Sequence, residues 1–167
     1  MVDWSLVFRI SHIVGTALGV GGATFLEIFS IYFGRDGKVD IFEHEVLRIC
    51  ISVLRWGLII LAFSGFGLLV MSRLRMLGPE SYYAPRFLAK MAIILILLLV
   101  AFLMNMRLIN FKLGSAISTT SWYAALVLGL WRGIKVNLLV VMLVYVVCIA
   151  VVYFTLEFFR KITVKKA

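Results

Sequence analysis

Apolar residues gather into five long runs separated by short charged connections, and within each run they are continuous rather than alternating. Continuous runs exclude strand spans, whose residues alternate between lipid and lumen. A bilayer core requires about 20 helical residues. The pattern therefore predicts spans over residues 6–33, 55–71, 87–106, 113–131 and 136–159. Gly34 and Gly37 turn the chain after the first span. Asp40 followed by Glu43 predicts a capping box opening a helix that carries His44, Glu45 and Arg48 before it enters the membrane near Arg55 and Trp56. Gly78, Pro79, Tyr82 and Tyr83 read as an interfacial loop, Trp56 and Trp131 as interfacial anchors. The basic stretch from Arg160 to Lys166 reads as a stop after the last span. The fold class is an all-α integral membrane protein, one transmembrane domain over residues 1–167.

Composition agrees. Of 167 residues, 63% are hydrophobic, and the mean hydropathy is +1.09, well above the apolar share of soluble domains. No basic n-region or small-residue cleavage site predicts a removable leader. The formal charge of +9 suits loops facing anionic headgroups, not nucleic acid. Five spans put the termini on opposite sides. Arg9, Arg73, Arg75, Arg86, Lys90, Arg132 and Lys135 share the N-terminal side, seven cations. Arg35, Lys38, Arg48, Arg55, Arg107, Lys112, Arg160, Lys161, Lys165 and Lys166 share the other, ten. The positive-inside rule then predicts an external N-terminus and a cytoplasmic C-terminus, in a cell membrane of bacterial inner-membrane type. Cys50 and Cys148 lie in apolar helical sequence and read as small packing residues.

The candidate chemistry starts at His12. With Gly15, Gly19 and Gly22 it follows the three-and-four spacing of one helix face. Two readings compete for that face. Small residues let membrane helices approach closely, or the glycines leave a trough for a flat macrocycle with His12 as axial metal ligand. Lys90, just inside the third span, shares the level of His12, bordered by Arg86 and Met91. Met71, Met76, Met91 or Lys90 could supply a sixth ligand. A cationic rim over an apolar interior suits porphyrin propionates, a quinone headgroup or a lipid phosphate, although arginines and Lys90 also snorkel to headgroups.

Glu27 lies roughly 22 Å further along the first helix and projects about 60° from His12. It needs a partner, and Arg55 and Arg107 are on its side; a proton or cation relay is the functional alternative. His44 reads as a solvated histidine, because its acidic neighbours point different ways on a helix. Met104 and Met106 form only a weak soft-metal pair. Ser115, Ser118, Thr119, Thr120 and Ser121 place the fourth span in the bundle interior, while the uniformly aliphatic fifth looks peripheral.

His12 ahead of a small-residue helix with Gly21 and Gly22, together with the segment Arg86-Phe87-Leu88-Ala89-Lys90 before a leucine-rich run, resembles HemJ-type protoporphyrinogen oxidases and the related copper-resistance D-like membrane domains. The resemblance covers about forty residues. It implies a four-helix core with one added C-terminal helix, a b-type haem on His12, Lys90 meeting a carboxylate, and redox chemistry on a tetrapyrrole. The family's tryptophan in the first helix is Gly19 here, and a basic residue near that helix's end is replaced by Glu27 and Ile28. Three functions follow as expectations. One is haem or porphyrin binding through His12. Another is a scaffold or assembly subunit, as a homo-oligomer or in a membrane complex, that docks helices on the glycine face. The last is a small transporter whose polar interior runs through Glu27, the fourth-span hydroxyls and Lys90.

Overall fold

The computed structural model describes residues 3–35, 40–74, 85–130 and 137–165, without the side chains of Leu74, Pro85, Arg86, Val164 and Lys165. Among them are five helices and no strand: α1 Trp4–Phe33, α2 Ile41–Leu74, α3 Pro85–Asn105, α4 Phe111–Leu130 and α5 Leu138–Lys165. All five are long and apolar enough to cross a membrane. The expected all-α membrane bundle is therefore observed. Met76, the Gly78–Pro79 loop, Tyr82, Tyr83 and Trp131 lie outside the described residues.

Helix ends follow local chemistry. Asp3 caps α1, its carboxylate accepting from the Ser5 amide at 3.0 Å, so the helix opens two residues before the predicted span. At α2 the Asp40 amide donates to Glu43 Oε2 at 2.9 Å, and the His44 amide donates to the Asp40 carbonyl at 2.9 Å. That is the reciprocal capping expected from sequence. With 34 residues, α2 is about 51 Å long, beyond the ~30 Å hydrocarbon core. Its first turns project from the bilayer, with His44 exposed among Glu45 and Arg48.

The longest interface joins α1 to α2. A methyl group at Gly57 would lie 2.8 Å from the Gly19 amide nitrogen and 3.1 Å from the Gly15 carbonyl oxygen. Only hydrogen fits between these backbones, so the glycines set the helix separation. α4 closes the other side. Its Trp122, Ser115, Thr120 and Ser121 are buried, and Trp122 packs in a core cluster with Ala23, Leu61 and Leu97. The hydroxyls of Thr120 and Ser121 bond back to the carbonyls of Ala116 and Ile117 at 2.8 and 2.7 Å, as membrane-helix hydroxyls do. Thus α4 lines the interior, as expected.

α5 leaves most of its aliphatic surface exposed, the peripheral position its composition suggested. It is anchored at two points. Tyr145 is buried, with its hydroxyl 2.8 Å from Ser121 Oγ. Arg160 provides the second anchor, and here the expectation is corrected: α5 continues to Lys165, so Arg160 belongs to the helix instead of a terminal basic stop. Both cysteines are free; Cys50 is buried, whereas Cys148 lies on the exposed face, so only Cys50 packs as expected.

Candidate functional site at the polar end of the bundle

His12 marks one end. Its Nδ1 lies 3.1 Å from Ser64 Oγ on α2. The Ser64 hydroxyl donates to the Ile60 carbonyl at 2.6 Å, so in the neutral ring Nδ1 carries the hydrogen and Nε2 keeps a lone pair. The ring lies against Gly65 of α2, where an added methyl would sit 3.5 Å from Cε1. The Lys90 ammonium acts electrostatically on the imidazole, so these two predicted residues do share a level. Met91 is exposed on α3, and the Arg86 side chain falls outside the described residues.

The predicted trough beside His12 is filled, which corrects the open-face reading of Gly15, Gly19 and Gly22. A methyl at Gly15 would meet the Leu61 amide at 2.8 Å, and one at Gly22 the Leu54 side chain at 3.1 Å. At Gly19 it would fall inside the Trp122 indole. A planar macrocycle laid along these glycines does not fit. The face is spent on packing within the chain, so it is equally closed to a helix from outside. The signal for this was the single Gly57 in α2, which pairs with Gly15 and Gly19.

The other end is polar. Glu27 is buried, and its Oε2 accepts from Arg160 Nη2 at 3.0 Å. The same nitrogen lies 3.4 Å from Ser115 Oγ, and Arg160 Nη1 lies 3.4 Å from Glu157 Oε1. Glu157 in turn meets Lys112 Nζ at 3.0 Å. Glu27 Oε1 has a longer contact, 3.5 Å from Thr119 Oγ1. One network thus ties α1, α4 and α5 at a level where an unpaired charge would be strongly disfavoured.

This corrects the expected partner of Glu27. Arg107 sits in the turn after α3 with φ 56°. Arg55 Nη2 donates instead to Asn105 Oδ1 at 3.3 Å. Neither reaches Glu27, because the extended α5 brings Arg160 to it first. The overlooked signal was Glu157, an acid inside an apolar run and three residues before a basic one, where a membrane charge calls for an explanation.

Beside the network lies a cavity of about 240 Å³ between α1, α2, α3 and α4. Its polar wall holds Glu27, Arg55, Asn105, Ser115, Ser118 and Thr119; Leu54, Leu58, Leu97 and Trp122 form the apolar wall. Glu27 and Thr119 also border a groove of about 450 Å³ between α1, α4 and α5. Arg55 is exposed, and no carboxylate among the described residues lies within ion-pair distance of it. No group of three or more histidine, cysteine or acidic residues able to hold a metal occurs among the described residues. No family model matches this chain, nor does any curated protein or solved structure.

Proposed function

We propose that this integral membrane protein takes a small amphiphile with an anionic headgroup from the bilayer into the cavity between α1, α2, α3 and α4. The observation that carries the reading is Arg55, a guanidinium on the wall of a largely apolar cavity whose only hydrogen bond in the described structure goes to the neutral Asn105. A guanidinium in that position offers several donors to a carboxylate, phosphate or sulfonate. Leu54, Leu58, Leu97 and Trp122 would receive the apolar part. About 240 Å³ exceeds the ~150 Å³ in which a benzene lodges. It suits a headgroup with a short apolar segment, the remainder of the chain staying in lipid.

This reading keeps the polar interior of the transporter expectation but moves it to the Glu27 end, away from Lys90. The test is binding of decanoate to the protein in phosphatidylcholine nanodiscs, with empty nanodiscs as blank. Saturable binding that weakens about tenfold in Arg55→Gln, the loss of one charge-assisted contact of roughly 1.4 kcal/mol, is the expected result. Uptake equal to the blank, or indifferent to Arg55→Gln, would remove the cavity as a binding site.

A further inference from the structure

The charges around Glu27 set a condition on any anion that enters. Glu27 and Glu157 are balanced by Arg160 and Lys112, so the network is neutral and Arg55 is the extra positive charge. A headgroup held by Arg55 would share one enclosed, low-dielectric space with the Glu27 carboxylate, since both residues line the same cavity. Two anions in one such site hold a proton between them.

The geometry gives that proton a place. Glu27 Oε2 is occupied by Arg160 at 3.0 Å, whereas Oε1 has only the 3.5 Å contact with Thr119. Arg160 is not stranded when Glu27 becomes neutral. It keeps Glu157 at 3.4 Å and Ser115 at 3.4 Å. The other titratable groups near Glu27 are Tyr32 on α1, Arg55 on α2, Lys112 and Tyr123 on α4, and Glu157 and Arg160 on α5. From α3 the cavity receives only uncharged side chains, Asn105 among them. Glu27 is therefore the acid whose ionised form competes directly with the guest.

Resting on the cavity reading above, we propose that anion binding is coupled to uptake of one proton, carried on Glu27 Oε1. The protein would then accept the anion and the proton as a neutral pair. Mass and charge balance without a further reactant: a solvent proton joins the carboxylate to give the acid, and the anion supplies the opposite charge.

Decanesulfonate is a suitable probe because its headgroup does not titrate, so any proton taken up resides on the protein. Calorimetry in nanodiscs, in two buffers of different ionisation enthalpy, counts the protons. We expect close to one proton per sulfonate bound in the wild type at alkaline pH, with affinity falling about tenfold per pH unit there. Glu27→Gln should bind with no proton uptake and no pH dependence, and Glu157→Gln should retain the uptake. Arg55-dependent binding with no proton uptake by the wild type would overturn the coupling while leaving the cavity reading standing. Absence of sulfonate binding, unchanged by Arg55→Gln, would remove the cavity reading and the coupling with it. The wild-type proton count together with Glu157→Gln decides the matter even where Glu27→Gln fails to assemble.

Discussion

The two ends of this bundle solve opposite problems. Near His12, α1 and α2 meet backbone to backbone through Gly15, Gly19 and Gly57, and Trp122 occupies what space remains. Near Glu27, the helices carry larger and more polar side chains, a buried ion pair, and a cavity of about 240 Å³. Close packing gives one end its rigidity and leaves no room for a guest. The polar end keeps room because its charged side chains stand between the helices and hold them by directed contacts. A polar residue inside a membrane is thus as much a spacer as a glue.

Substitutions that remove either device test this contrast. The largest effect is expected from Arg160→Ala, which leaves Glu27 buried without its cation. Breaking a buried pair in this way costs about 3–5 kcal/mol, and denaturation in detergent should show it. The double variant Glu27→Gln/Arg160→Met should recover most of the loss, as a double-mutant cycle would reveal. Equal destabilisation by the single and double variants would mean that Arg160 acts through packing alone.

Gly19→Ala comes next. Its methyl would overlap the Trp122 indole, and overpacking of a close interface costs about 1–3 kcal/mol. Thermal unfolding of the detergent-solubilised protein measures it. If Gly19→Ala were as stable as the wild type, the glycine seam would not be the rigid end described above.

Ser64→Ala removes the bond that orients His12, for an expected loss of about 1 kcal/mol. Its imidazole signals in NMR spectra should broaden as the ring gains freedom. The smallest effect belongs to Gly21→Ala, where nothing lies within 4 Å of the added methyl. Helix propensity then gains, by roughly 0.5–1 kcal/mol. Gly19 and Gly21 lie on one helix, yet their replacement by alanine should change stability in opposite directions.

That pair shows how far the chain could be read unaided. The helical periodicity put Gly15, Gly19 and Gly22 on one face, but a face has no printed occupant. Whether a macrocycle, a foreign helix or a neighbour fills it depends on where α2 and Trp122 fall. Glu27 was legible as an inward carboxylate in need of a cation. Its partner was not, because Arg160 stands 133 residues away in sequence and follows a run of aromatic residues that reads as the end of a span. The capping pair of Asp40 and Glu43, by contrast, was legible in full, since both members lie within one turn.

Sequence alone determined that this chain forms long helices in lipid. Without water, backbone donors and acceptors must be satisfied inside each segment, and continuous apolar runs leave no other solution. Only the tertiary structure decided which end is closed and which holds a cavity. That outcome turns on pairings between residues on different helices: glycine against glycine at one end, carboxylate against guanidinium at the other. Each contact depends on the relative depth and rotation of two helices, and the periodicity of either one alone contains neither quantity.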